Sequence, residues 1–138
     1  MIIHPMTIAD YDAVLTLWQV CEGVGLSDAD ARENIARYLA RNPGMSFVAE
    51  IDSELVGAVL NGHDGRRGYI HHLAVHPHYR RRGIGQELVK HCLVALREAG
   101  IQKCHLFVFD GNRNGRAFWQ DIGWMERVEL VLMSKSTE

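Results

Sequence analysis

The sequence predicts one mixed α/β domain, a single sheet covered by helices, with elements in the order β-αα-βββ-α-β-α-β. Three observations carry this. The 138 residues are 47% apolar and 23% charged, the balance of a folded domain with a real core rather than a disordered chain. Between residues 84 and 99 apolar side chains recur at helical spacing, whereas residues 45–51, 55–61 and 69–75 form three strand-like runs separated by short turns. No internal repeat, low-complexity tract or linker interrupts the pattern, so a single domain covering residues 1–138 is expected.

Residues 1–6 are short and apolar and read as a first strand. Thr7 or Asp10 can cap the helix that follows, in which Val14, Leu15, Leu17 and Trp18 make an apolar stripe. Residues 21–27 hold Gly23 and Gly25 and read as a loop. Asp28 or Asp30 starts a second helix with Ile35, Tyr38 and Leu39 on one side, ending near Asn42-Pro43-Gly44. Asp52-Ser53 and His63-Asp64-Gly65 are the turns between the three strands. In the central helix Ile84, Leu88, Val89, Cys92, Leu93 and Leu96 form the buried stripe, and Gly100 is a natural stop. Residues 103–109 read as another strand, and Asp110-Gly111-Asn112 turns into a helix over 114–122 closed by Gly123. Residues 125–133 alternate through Val128, Leu130 and Leu132, which predicts a last strand.

Fifteen basic and seventeen acidic residues give a net charge of −2, against the basic excess of a dedicated nucleic-acid binder. Cys21, Cys92 and Cys104 form neither a zinc pattern nor a disulfide framework, which fits a reduced, cytoplasmic setting. No segment reads as a signal peptide or membrane span.

The stretch LAVHPHYRRRGIGQEL, from Leu73 to Leu88, carries the functional signal. A helix start presents amide hydrogens without intrahelical partners and the positive end of the peptide dipole, so it favours an anion. Gly83 and Gly85 let the main chain approach that anion, and Arg80, Arg81 and Arg82 add positive charge. A phosphate-binding turn is expected. It is not a P-loop, because Gln86-Glu87 follows Gly85 where Lys-Ser/Thr is needed. Nor is it a dinucleotide fingerprint, because Leu88 stands at the third glycine and seven residues separate Val75 from Gly83. An exposed basic turn with a glycine-rich cap is the plainer reading of the same letters.

Arg80-x-x-Gly83-x-Gly85, preceded by Leu73-Ala74-Val75-x-Pro77, resembles the coenzyme-A motif of the GNAT superfamily of acetyl-CoA-dependent N-acetyltransferases. Asn112-x-x-Gly115-x-x-Phe118-Trp119-x-x-x-Gly123-Trp124 is similar to that family's Asn-x-x-Ala-x-x-Phe-Tyr-x-x-x-Gly-Phe helix. Val48-Ala49-Glu50, Val56-Gly57 and His63-Asp64-Gly65-x-x-Gly68 further resemble small bacterial members of the YpeA type. The resemblance implies an acyl-CoA N-acyltransferase fold, a central and mostly antiparallel sheet flanked by helices. In it, the strand ending at Val75 splays from the strand over residues 103–109 and the coenzyme lies in the opening.

The resemblance also implies roles. Main-chain amides of Arg81, Arg82, Gly83, Ile84, Gly85 and Gln86 hold the coenzyme pyrophosphate, with Arg80 or Arg82 near it. Main-chain groups of the Leu73-Ala74-Val75 segment meet the pantetheine and thioester, and Asn112 bonds to the pantetheine arm or caps the next helix. Gly115 and Phe118 line the same motif. Leu73, or a neighbour, supplies the amide that polarises the thioester carbonyl. His71 is the candidate base, two residues before Leu73, where arylalkylamine acetyltransferases of the superfamily carry a histidine. A half-exposed strand histidine with no role is the competing reading, since the chain has eight histidines. His72 is expected on the other side of the strand unless a bulge intervenes. Trp119 replaces the family's usual tyrosine, and an indole donates a hydrogen bond without serving as a practical acid. Trp119 and Phe118 read equally as an aromatic packing pair, and Cys92 as buried filler rather than a nucleophile.

The family builds its acceptor pocket from the first two helices, their loop and later strand ends. Glu22, Asp28 and Asp30 can draw a cationic amine there, although solvent-facing caps are the expected role of these acids. A small-molecule or peptide amine is the implied acceptor, without nucleic acid, membrane or metal, and a homodimer through the last strand is open. Two other classes compete. One is an acetyl-CoA-binding regulatory module with little catalysis, the other a nucleic-acid contact through the three arginines.

Overall fold

The short run Ile2–Pro5 (β1) starts a five-stranded sheet completed by Phe47–Ile51 (β2), Glu54–His63 (β3), Gly68–Val75 (β4) and Cys104–Leu106 (β5), side by side in chain order. This computed structural model describes all of residues 1–138. Neighbours from β1 to β4 pair antiparallel, and β5 runs parallel to β4. A parallel neighbour needs a crossover, and the helix Ile84–Glu98 (called α3 below) provides it. The first two helices are α1 (Tyr11–Val20) and α2 (Arg32–Arg41). By contact pattern the chain forms two compact units, Met1–Phe107 and Val108–Glu138.

In the first unit, Val48, Ala58, Leu60 and Ala74 of the sheet are buried with Val14, Leu17 and Trp18 of α1 and Ile35 of α2. The opposite face takes α3, whose Leu88, Cys92 and Leu96 are buried along the stripe expected for them. Two strand glycines let that helix sit close. A Cβ on Gly57 would stand 3.1 Å from both Ile84 Cγ2 and Leu88 Cδ1, and one on Gly68 only 2.6 Å from Leu96 Cδ1. Cys92 is therefore core, as its place on the stripe implied.

Helix starts differ from expectation in one instructive way. Thr7 and Asp10 form a reciprocal capping box around a single 3-10 turn ahead of α1. Ahead of α2, Ser27 caps a second 3-10 turn, Asp28–Asp30, and Asp30 Oδ2 accepts from the Ser27 amide at 3.0 Å; Asp30 is 7% exposed, not solvent-facing.

The second unit holds α4 (Arg113–Asp121), with Asn112 Oδ1 accepting from the Gly115 amide at 2.9 Å as its cap. The strand expected over residues 125–133 is absent. The chain there makes a turn, with Leu130 N–H donating to Arg127 O at 3.2 Å, and Val128, Val131 and Met133 are 86%, 83% and 87% exposed. Alternation describes what a strand looks like when one face is covered, but a strand forms only where a ladder partner takes its amides. The strand expected over residues 103–109 is likewise shortened to Cys104–Leu106, and Phe107 and Phe109 are exposed.

Candidate active site

The end of β4 is irregular. Ala74 pairs with Ala58 and His71 with Leu60, so Val59 alone faces both His72 and Leu73. His72 has φ +51°, an uncommon state for a residue with a Cβ. This extra residue is a β-bulge, and it interrupts the ladder at the position where the Leu73 amide was expected to act. It also resets alternation. Tyr69 and His71 lie on the sheet face that carries α1 and α2, and after the bulge His72 joins Ala74 on the same face. The expectation that His72 points away is overturned for that reason.

The two imidazoles have different surroundings. His71 stacks near Tyr69 (6.5 Å between centroids) and meets Tyr38 of α2 edge-on at 6.3 Å. Neither of its nitrogens has a hydrogen-bond partner in the chain. Burial, and then the neighbouring His72, push its pKa below the usual imidazole value, so it is neutral at pH 7. His72 Nε2 donates to Asp30 Oδ1 at 2.9 Å, and its ring meets Trp18 at 5.1 Å in a T-shaped arrangement. Asp30 is held firmly: Oδ2 accepts from Ser27 N–H, and its carbonyl accepts from Tyr11 Oη at 2.7 Å. The letters S-D-A-D spell a helix cap, which is why sequence reasoning passed over Asp30 as a partner for a strand histidine.

Beyond β4, Pro77–Tyr79 makes a 3-10 turn and the chain enters α3 through Arg81 (φ +64°) and Gly83 (φ +78°). A Cβ at Gly83 would touch nothing within 4 Å, so the backbone conformation and not space selects glycine. The amides of Arg81, Arg82, Gly83, Ile84, Gly85 and Gln86 donate to no carbonyl or side chain, and the helix ladder begins with Glu87 N–H to Gly83 O at 3.1 Å. The arginines are less uniform than their spelling. Arg80 turns back, its Nε donating to Val75 O at 3.3 Å beside the Cys21 thiol, which also donates to that oxygen. Burial raises the Cys21 pKa in spite of the adjacent guanidinium. Arg82 lies 5.0 Å over the Tyr79 ring, and Arg81 is exposed. The Val75 carbonyl is thus already used within the chain, while Ala74 buries its side chain in the core.

Pairing between β4 and β5 covers Gly68↔Cys104, Tyr69↔His105 and Ile70↔Leu106, then stops. From His71 to Val75, β4 is paired on the β3 side only. In the second unit, Asn112 and Gly115 make the α4 cap described above, and Trp119 meets Phe118 and Trp124 edge-on at 5.1 Å each.

Residues 11–124, a stretch running through both units, match the family model for the acetyltransferase (GNAT) family. An acetyltransferase of Pectobacterium atrosepticum is 34% identical over 126 residues, 91% of this chain and 88% of its own length. Among solved structures, an aminoglycoside 6′-N-acetyltransferase of Acinetobacter haemolyticus superposes with a TM-score of 0.81 at 19% identity, covering 100% of both chains. The PaiA N-acetyltransferase of Thermoplasma acidophilum, solved in complex with coenzyme A, gives 0.77 at 19% identity over 88% of this chain and 87% of its own. At such identities the two structures speak for the fold alone. The family match and the Pectobacterium relative decide membership: this chain belongs to the GNAT family of acetyltransferases.

Proposed function

We propose that the protein transfers the acetyl group of acetyl-CoA to a primary amine by direct attack, with both substrates bound at once. The observation that carries this is the run of six unspent amides from Arg81 to Gln86 at the start of α3. Such a cradle fits a pyrophosphate: the donors lie at the positive end of a helix, Gly83 holds a left-handed backbone just before it, and Arg81 is free to add charge. The unpaired edge of β4 from His71 to Val75 supports placing an extended pantetheine arm there, and the bulge supports an available main-chain donor near Leu73. The coenzyme supplies an activated acetyl thioester. The chain's part is to bind it, polarise its carbonyl and keep the amine unprotonated. One preorganised amide donor is worth roughly 3–4 kcal/mol to such a barrier. The PaiA relative's bound coenzyme A is consistent with this reading.

A binding-only module is favoured by one observation, the indole of Trp119 between Phe118 and Trp124, which cannot hand a proton to a departing thiolate. Calorimetry with acetyl-CoA, followed by coenzyme-release assays over aminoglycosides, polyamines, amino acids and peptide N-termini, tests both readings. The aminoglycoside relative brings that amine class into the panel. Binding with turnover on at least one amine supports the enzyme, binding without turnover the module, and absence of binding removes both.

A further inference from the structure

We propose that His72, held by Asp30, is the group that takes the proton from the acceptor amine, and that His71 packs beside it without that duty. This rests on the acetyl-transfer reading above and names its base. A base must be oriented as well as present. The His72 Nε2–H is fixed on Asp30 Oδ1 at 2.9 Å, which assigns the tautomer and leaves the Nδ1 lone pair as the open proton acceptor. Asp30 in turn cannot drift, since its side chain is 9% exposed, its second oxygen is tied to the Ser27 amide and its carbonyl to Tyr11. The imidazolium formed on proton uptake stays against that carboxylate, the arrangement by which an acidic partner supports a histidine base.

Access and strain point the same way. His72 is 19% exposed, and the only side-chain polar atoms sealed from solvent without a partner are Trp18 Nε1 and Asn61 Oδ1, so His72 Nδ1 is not shut in. The residue lies in the half of β4 that has no neighbour on the β5 side. It also keeps φ +51°, a conformation glycine adopts with less strain and one that accumulates where function demands it. His71 has no orienting partner, and its burial opposes holding a proton. The ionisable groups packed around the pair are Asp30, Tyr69 of the same strand, Tyr11 from α1, Cys21 after α1 and Tyr38 from α2. Burial drives the Cys21 thiol and the Tyr38 phenol upward, away from the range in which imidazoles titrate.

The step balances simply. His72 Nδ1 removes one proton from the acceptor ammonium. The freed lone pair makes the C–N bond to the acetyl carbon, the C–S bond breaks with its electron pair on sulfur, and the second nitrogen proton is lost to solvent or to the thiolate.

The experiment measures acetyl-CoA affinity and kcat against pH for the unaltered protein, His72→Asn, Asp30→Asn and His71→Asn. Asparagine is chosen because it tolerates the left-handed backbone. His72→Asn is expected to lose about 10²-fold or more in kcat and the low-pH limb of the profile, with acetyl-CoA affinity within about threefold. Asp30→Asn, a positioning change, should lose about tenfold and displace that limb, and His71→Asn should keep it in place. An acceptor whose amine is already neutral at the assay pH should largely escape the His72→Asn loss, a rescue that a merely structural role would not give. A His72→Asn profile with its limb intact, or no rescue by the weakly basic amine, overturns the assignment while acetyl transfer stands. If His72→Asn does not fold, an unmoved limb in Asp30→Asn overturns it equally. No turnover by the unaltered protein on any amine overturns the acetyl-transfer reading and the assignment with it.

Discussion

The two halves of β4 are held in different ways. From Gly68 to Ile70 the strand has neighbours on both edges, whereas from His71 to Val75 only β3 accompanies it. The doubly paired half contains Gly68, pressed by α3, and Ile70, 2% exposed. The singly paired half contains the bulge, both imidazoles, and Val75, whose carbonyl is taken by Arg80 and Cys21. A strand paired on both edges stabilises; one released on an edge offers main-chain groups to something else. The same short segment has both kinds of edge, so substitutions in the two neighbourhoods should separate stability from binding.

The largest separation is expected from Gly83→Val. A β-branched residue at φ +78° is strained and displaces the amides that should grip the pyrophosphate. Acetyl-CoA affinity should fall at least about thirtyfold, about 2 kcal/mol, in a chain that still unfolds cooperatively. Unchanged affinity by calorimetry in a folded variant would falsify the placement of the pyrophosphate. Gly68→Ala should do the reverse. Its Cβ would stand 2.6 Å from Leu96 Cδ1, so overpacking should lower stability by about 1–3 kcal/mol in urea unfolding while folded molecules bind acetyl-CoA normally. A lowered affinity there would mean that the two halves are coupled.

Trp119→Tyr restores a hydroxyl where the family usually has one and should raise kcat several-fold with little change in affinity. An unaltered kcat would show that proton delivery to sulfur does not limit turnover. The smallest effects concern pH. His71 has a folded pKa below the unfolded 6.5, so its contribution to stability is complete above pH 6.5 and is lost as pH falls below it. His4 is raised above 6.5 by its bond to Glu50, so its contribution is complete below pH 6.5 and fades as pH rises above it. In urea midpoints followed from pH 5 to 8, His71→Gln should flatten the acid side and His4→Gln the neutral side. Parallel curves for all three proteins would sink both assignments.

Much of this was legible in the letters, for reasons that also explain the failures. α3 begins at Ile84 as its periodicity requires and ends at Glu98, one residue before the expected Ala99, because a fifteen-residue amphipathic stripe with glycines at both ends leaves little freedom. The three central strands lie within two residues of expectation at either end. Patterns that depend on a distant partner were not legible. Residues 125–133 have the alternation of a strand but no ladder, and Asp30 has the spelling of a cap but the location of a histidine's partner. Three arginines in a row look like one basic patch, yet Arg80 faces a carbonyl and Arg82 a phenol ring. The bulge is least legible of all, since a surplus residue in a ladder leaves no mark in composition.

That surplus has a consequence for how such a chain tolerates change. Removing Leu73 alone would let His72 oppose Val59 and Ala74 oppose Ala58 in plain register, with nothing else in the sheet displaced. His72 would then swing to the α3 side and leave the Asp30 carboxylate bare. A three-nucleotide deletion would thus part His72 from Asp30 without altering either residue, so this strand is exposed to a slip in length as well as to a change of letter.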